Sequence, residues 1–162
     1  MNDRAVKKLA LGGVMAALVF VMTYVPKIPV PVTGGYIHLG DGALDFQRVE
    51  NFIRTRDPHA LTYQVKGNCD MGVDLPEVQE IALGGVKLLA THGHRYQVKS
   101  TFTPIDVEAH HRGCAAALFG HTHQAYIEQR RTLLVNPGSA RGDTLAMLKI
   151  ENGAVSAEIM HF

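Results

Sequence analysis

Short apolar runs separated by glycine and polar turns fill the chain from residue 36 onwards. Two longer segments have helical periodicity: Leu44 to Arg54, with an apolar face that includes Phe46, and Thr103 to about Gly113. Because strands outnumber helices, the order predicts two sheets packed face to face and flanked by helices. The runs predicted to be strands are 36–39, 61–66, 78–83, 86–91, 115–119, 125–128, 133–136, 144–150 and 154–160.

The first 35 residues have a different pattern. The run from Leu9 to Val25 is uncharged and mostly apolar, and its alanine, leucine and methionine content predicts a helix rather than a central strand. Three prolines in residues 26–31 then favour an extended linker, and residues 33–35 add a flexible joint. We therefore predict an apolar helix and Pro/Gly-rich linker over residues 1–35 and a folded domain over residues 36–162.

Three interpretations of the apolar run remain open: a membrane span, a secretory signal, or a helix packed on the sheet. The run has the minimum length for crossing a bilayer, and Arg4, Lys7 and Lys8 precede it. No clear small-x-small cleavage site follows it. Membrane contact through residues 9–25 is therefore one expectation, and packing onto the sheet is another.

Composition and charge exclude some classes of protein. A chain of 162 residues has room for one ordinary domain with an appendage. Its 16 basic and 15 acidic side chains give a net charge of +1, which carries no nucleic-acid signal. Cys69 and Cys114 lack CxxC spacing, so we interpret both as free thiols of a cytoplasmic protein.

Histidines and other potential metal ligands cluster in loops that directly follow predicted strands. Asp41, Asn68, His92, His121 and His123 occupy four such loops, and strand ends can converge on one edge of a sheet. Carboxylate, amide oxygen and imidazole together suit manganese, iron or zinc. Two such ions about 3.5 to 4 Å apart would clamp a phosphate ester and activate water. The isolated His59, His110, His111 and His161 receive no role.

Five motifs in order give the chain a recognisable pattern. They are His38-Leu39-Gly40-Asp41-Gly42, Gly67-Asn68-Cys69-Asp70, Thr91-His92-Gly93-His94, Gly120-His121-Thr122-His123 and Asn136-Pro137-Gly138-Ser139. With these motifs, residues 38–162 resemble the small bacterial and archaeal phosphodiesterase branch of the calcineurin-like metallophosphoesterases. The resemblance implies an α/β fold of four layers, αββα, and hydrolysis of a phosphate ester.

The resemblance also implies roles for individual residues. Asp41 would bridge two divalent ions. We expect these to be manganese, with iron, zinc, nickel and magnesium as alternatives. Asn68, His92 and His121 would join it on one ion, and His123 would hold the other. Asn68 and His94 are the candidate catalytic contacts to phosphate, and Asp70 is expected to hold the loop or orient a neighbour. Cys69 stands where many relatives carry a histidine acid, so departure of the leaving group would depend on the metal. We predict that residues 136–139 form a tight turn near the pocket.

The chain departs from this family at its start. The family opens with a buried strand ending in Asp-x-His, and nothing before Gly40 offers that pair. We therefore predict a metallophosphoesterase fold that lacks its usual first strand and has an N-terminal apolar helix instead. Residues 1–41 resemble the substrate-binding component of energy-coupling-factor vitamin transporters. The two resemblances overlap at residues 37–41. Recombination between unrelated genes at a shared sequence, or an error in assembling their sequences, would produce such an overlap.

Two functions follow from these motifs. The first is a metal-dependent phosphodiesterase that is impaired because two ligands are absent. The alternative is a metal-binding or protein-interaction scaffold on the same fold. A vitamin-transport subunit would need several more apolar spans than the sequence has.

Overall fold

A computed structural model describes residues 18–23 and 34–161. Two α-helices and two short 3₁₀ helices accompany ten strands in this part of the chain. The α-helices are α1 (Ala43–Arg56) and α2 (Thr103–His111), and the 3₁₀ helices are His94–Tyr96 and Ala140–Gly142. The strands are β1 (Leu18–Thr23), β2 (Gly34–His38), β3 (Leu61–Gln64), β4 (Val78–Leu83), β5 (Val86–Thr91), β6 (Ala116–Phe119), β7 (Ala125–Gln129), β8 (Leu133–Pro137), β9 (Thr144–Glu151) and β10 (Ala154–His161).

The strands form two five-stranded sheets. One sheet has the order β10-β9-β1-β2-β3 and the other has the order β4-β5-β6-β8-β7. Apolar side chains of both sheets, including Ile37, Leu88 and Leu148, form one buried cluster between them. This arrangement confirms the predicted pair of packed sheets and follows from strands that are apolar on the face turned to the partner sheet.

The helices cover the outer faces and complete the predicted αββα layers. Helix α1 buries Phe46, whose ring stacks on His38 of β2 at a centroid distance of 4.7 Å. Helix α2 buries Ile105 in a second apolar cluster, which also contains Leu89 of β5 and Phe119 of β6. No helix among the described residues is long and apolar enough to span a membrane.

The predicted N-terminal helix is wrong over the six described residues of that segment. Leu18–Thr23 form strand β1, which pairs with β2 on one side and with β9 on the other. Its sequence contains the strand formers Val19, Phe20, Val21 and Thr23, and pairing along both edges satisfies the backbone hydrogen bonds. The remainder of the predicted helix, at 9–17 and 24–25, and the proline-rich linker lie outside the described residues.

The direction of β1 matters for the site. It runs antiparallel to β2, with Leu18 opposite His38 and Met22 opposite Gly34. The end of β2 that leads into Asp41 therefore lies beside the start of β1, and the carboxyl end of β1 lies at the other end of the sheet. A ligand pair placed after β1 would be far from Asp41.

Candidate metal centre

Loops after four strands bring Asp41, Asn68, His92 and His121 together. Ligand atoms of Asp41, His92 and His121 lie within 4.8 Å of one another. The Nε2 atom of His92 lies 3.0 Å from Asn68 Oδ1, 3.1 Å from His121 Nδ1 and 3.3 Å from Asp41 Oδ2. The convergence expected at the strand ends is therefore present for these four residues.

The hydrogen bond on the far side of the His92 ring fixes its tautomer. His92 Nδ1 lies 2.7 Å from the backbone oxygen of Leu39, which can only accept, so Nδ1 carries a proton. Burial lowers the pKa of His92, although the Leu39 carbonyl and the charge of Asp41 act in the opposite direction. At neutral pH the ring is therefore uncharged, and its Nε2 presents a lone pair to the cluster.

The cluster contains more acceptors than protons. His92 Nε2, Asp41 Oδ2 and Asn68 Oδ1 are all acceptors, and a proton on His121 Nδ1 could serve only one of them. Burial, followed by the nearby His92 and Lys99, lowers the pKa of His121 to about 4, so this ring is also neutral at pH 7. Lone pairs that converge without donors are destabilising unless a cation lies among them, and these donor atoms suit a divalent ion.

Asp41 and His121 adopt backbone conformations that side chains rarely occupy. Their φ angles are 61° and 66°, in the left-handed region, and such strain is often found at functional sites. Gly67 lies so close to Asp41 that a Cβ added there would overlap the carboxylate. The Cys69 amide donates to Asp41 Oδ1 at 2.8 Å, leaving Oδ2 turned to His92.

Asp70 holds the loop that carries Asp41. Its Oδ2 accepts from the amides of Asp41 and Gly67, and its Oδ1 accepts from those of Gly42 and Ala43 at the start of α1. Burial alone would raise the pKa of Asp70, but these four amides more than offset that effect and keep its pKa below the ordinary value. The carboxylate therefore fastens the loops after β2 and β3 to each other.

Two of the predicted residues stand apart from the four converging side chains. His94 is half-buried, with its ring centroid 5.5 Å from that of His92, and its Nδ1 is buried without a partner among the described residues. His123 is exposed and does not join the cluster. The structure thus brings His94 to the edge of the centre and leaves the second ion with few candidate ligands.

Sequence reasoning missed the supporting role of Asn136. This fully buried amide donates at 2.9 Å to the Gly120 carbonyl and at 2.9 Å to Thr122 Oγ1, and so it holds the loop that carries His121. It lies at the end of β8, which pairs with β6, and β6 leads into that loop, so the role is visible only in the folded structure.

His38 was also missed, and it is a fully buried polar side chain near the centre. Neither ring nitrogen has a hydrogen-bond partner among the described residues, although the Asp41 backbone lies near enough to favour protonation slightly. Burial lowers the pKa of His38 to about 4, and the charge of Asp70 opposes this shift. The ring is therefore neutral in the folded protein, whereas in the unfolded chain it is in water and can take up a proton.

We expect His38→Leu to make the metal-free protein less sensitive to acid. With a pKa near 6.5 unfolded and about 4 folded, His38 binds its proton only in the unfolded chain between those values. Stability is therefore lost as pH falls from 6.5 to 4, by roughly 3 kcal/mol for this residue. Urea unfolding in EDTA at pH 7 and pH 4 should show that this part of the loss disappears in His38→Leu. The exposed His59→Leu is the control, and an equal acid loss in both variants would contradict the prediction.

Comparisons with known proteins agree with this geometry. Residues 32–153 match the family model of the calcineurin-like phosphoesterase superfamily domain. The chain is 35% identical over 128 residues to the probable metallophosphoesterase YsnB of Bacillus subtilis (strain 168), which covers 74% of this chain and 70% of that protein. Residues 3–46 match the S component of an ECF-type riboflavin transporter, as the N-terminal resemblance predicted.

Two solved structures show the same fold. A predicted phosphoesterase from Streptococcus pneumoniae aligns with a TM-score of 0.59 at 20% identity, over 89% of this chain and 99% of that one. Vps29 from Entamoeba histolytica, crystallised with Zn²⁺, aligns with a TM-score of 0.57 at 20% identity, over 89% and 98%. At these identities the likeness concerns the fold.

Proposed function

The chain belongs to the calcineurin-like phosphoesterase superfamily, and from this premise we propose that it is a metal-dependent phosphodiesterase with low turnover. The observation that carries the proposal is the convergence of acceptor atoms from Asp41, Asn68, His92 and His121, with too few protons to satisfy them. Those four side chains would hold one divalent ion, with manganese as the first to test and zinc, iron, nickel and magnesium as alternatives.

The residues around the cluster fit a phosphate ester as substrate. When bound, the divalent ion would polarise the phosphate and lower the pKa of water. Among the described residues, the Asn68 Nδ2 donates only to the Cys69 sulfur, at 3.3 Å, so its second N–H can donate to a phosphate oxygen. The His94 ring lies at the edge of the same centre, with its centroid 5.5 Å from that of His92 and 6.1 Å from that of His121. We assign Asn68 and His94 to orienting the phosphate.

Cys69 is a weak replacement for a histidine acid. The charge of Asp41, followed by burial, raises the pKa of this exposed thiol, so it keeps its proton at neutral pH and releases it reluctantly. A general acid works best when its pKa is close to the working pH. We therefore expect esters with activated leaving groups, such as nitrophenyl phosphodiesters, to react fastest.

Low turnover follows from the ligands of the second ion. Asp41 and His123 alone would serve it, and His123 is exposed outside the cluster. No histidine, aspartate, glutamate or cysteine occurs between Arg4 and His38 to supplement them. Two protein ligands are too few to hold a divalent ion firmly against water, so the second position should fill only at high metal concentration.

We expect slow hydrolysis of bis-p-nitrophenyl phosphate that depends on Mn²⁺ and disappears in His92→Ala. Removing His92 takes away the central ligand and should lower the rate by about a hundredfold or more. Release of nitrophenolate with and without EDTA measures this effect. The exposed His59→Leu should retain the full rate. Hydrolysis that survives both EDTA and His92→Ala would exclude this centre as its source.

A scaffold on the same fold is the second candidate. The scarcity of ligands for a second ion favours it. In addition, one protein of similar structure is Vacuolar Protein Sorting 29 from Cryptosporidium parvum, whose name refers to sorting and not to hydrolysis. Metal binding without any hydrolysis, in the assay above and with several activated esters, would favour the scaffold over the enzyme.

A further inference from the structure

Lys99 is a cation near the proposed metal centre that has no partner among the described residues. Its side chain is exposed, and it makes no hydrogen bond or ion pair with any described residue. Most other basic side chains in the described part have one: Lys149, for example, pairs with Glu151 at 3.0 Å. An unpaired ammonium close to a centre for phosphate chemistry is available to an anionic ligand.

The backbone around Lys99 is tied to the loop that carries His92 and His94. The preceding residue, Val98, is 2% exposed and belongs to the apolar cluster beneath α2. Its methyl groups lie against Gly93, so that a Cβ added at Gly93 would be 2.8 Å from one of them. The Ser100 and Thr101 amides donate back to the Gln97 carbonyl at 2.8 and 3.2 Å. Lys99 therefore leaves a fixed turn beside the centre.

The charge of Lys99 affects the pKa of one residue in each of two loops at the centre. Cys69 follows β3 and His121 follows β6. The charge of Asp41 raises the pKa of Cys69 and burial lowers the pKa of His121, and at both groups the Lys99 ammonium makes a smaller contribution that favours loss of the proton. Lys99 is therefore within electrostatic reach of both loops. Both residues are also accessible to solvent, because Cys69 is exposed and His121 is partly so.

The charges of the centre explain why a cation is useful there. One divalent ion with the Asp41 carboxylate leaves a net charge of about +1, whereas a phosphate group brings one or two negative charges. A firmly held second ion would supply the difference, but the chain has few ligands for it. An ammonium acts on phosphate as a point charge and needs no exact orientation, so a lysine at the mouth can supply part of the missing charge.

We propose that Lys99 is a substrate-binding residue that attracts and holds the anionic phosphate group at the mouth of the centre. This inference rests on the proposed function and names a recognition residue for the same site. Lys99 does not move a proton and is not a catalytic residue.

Alkylation of Cys69 tests this proposal without relying on turnover. Cys69 is exposed while Cys114 is buried, so peptide mass spectrometry can follow the Cys69 thiol alone. Iodoacetate is an anion and iodoacetamide is neutral, so the ratio of their rate constants at one pH reports the local charge and cancels the fraction of thiolate. Lys99→Met should lower that ratio about three- to tenfold. Lys99→Arg should retain it, as should Lys149→Met, which removes a lysine whose ion pair lies on β9.

Inorganic phosphate serves as the ligand in the second half of the test. With Mn²⁺ present, phosphate should slow the reaction of Cys69 with iodoacetamide in the unaltered protein and in Lys99→Arg, and this protection should be lost in Lys99→Met. An unchanged reagent ratio or full protection in Lys99→Met would overturn the inference. Bound Mn²⁺ is measured in the same samples by atomic emission. Absence of bound metal would count against the proposed function. If metal is bound but the reagent ratio and the protection by phosphate are unchanged in Lys99→Met, only the role of Lys99 is contradicted.

Discussion

Replacing Asp70 with alanine should lower the free energy of unfolding by about 4 kcal/mol or more. The carboxylate accepts hydrogen bonds from four backbone amides, those of Asp41, Gly42, Ala43 and Gly67. Each donor left without a partner in a buried place costs about 1 to 3 kcal/mol, and water entering the gap would recover only part of this. Urea unfolding at pH 7 in EDTA, followed by circular dichroism, measures the change.

Two further variants show whether the four amides are the cause. Asp70→Asn keeps the shape of the side chain but replaces one acceptor oxygen with a donor group. Its free energy of unfolding should therefore lie between those of the native protein and Asp70→Ala. Asp74 is exposed in the same loop and makes no hydrogen bond with the described residues, so Asp74→Ala should change stability by less than about 0.5 kcal/mol. A loss below about 1 kcal/mol for Asp70→Ala would contradict this role.

Restoring the missing ligands should raise turnover by about a thousandfold. The chain with its own N-terminus should hydrolyse phosphodiesters slowly or not at all, because two-ion catalysis needs both the polarised phosphoryl oxygen and the activated water. Loss of one ion removes several kcal/mol of transition-state stabilisation, and each 1.36 kcal/mol is about a factor of ten in rate. Replacing residues 1–36 by a strand that ends in Asp-x-His, at the family spacing, should therefore restore manganese-dependent hydrolysis.

The geometry of β1 specifies how that replacement must be built. Because β1 runs antiparallel to β2, its carboxyl end points away from Asp41. The new segment must instead supply a strand parallel to β2, so that its last residues reach the edge where Asp41 lies, and it must also rebuild residues 34–36 of β2. A graft with Ala-x-Ala in place of Asp-x-His is the matched control and should stay slow. Rapid turnover by the chain as it stands, unchanged by either graft, would show that the missing ligands are unnecessary.

Most of the fold could be predicted from the sequence because local and tertiary preferences agree there. The hairpin β4–β5 was predicted with its observed bounds, since Gly84 and Gly85 separate two apolar runs and both adopt positive φ angles. Strand β1 was not predicted. Its apolar run lies within a longer segment that favours helix, and sheet pairing with β2 and β9 is a tertiary effect that periodicity cannot reveal.

The residues of the candidate site likewise fall into those that the sequence could predict and those that it could not. Asp41, Asn68, His92 and His121 could be named because each follows a predicted strand and strand ends converge. His38 and Asn136 could not, because a histidine inside an apolar strand and an asparagine before a proline carry no signal of what they contact. The position proposed for Lys99 depends on a turn anchored by Val98, and that turn is likewise visible only in three dimensions.

The location and number of bound ions test the account most directly. Crystals grown with Mn²⁺ and measured for anomalous scattering should show one strong peak per chain, about 2.0 to 2.3 Å from Asp41, Asn68, His92 and His121. The same crystals of His92→Ala should lack it. Two equally strong peaks would contradict the claim that the second position is weak, and no peak among these four side chains would contradict the metal centre itself.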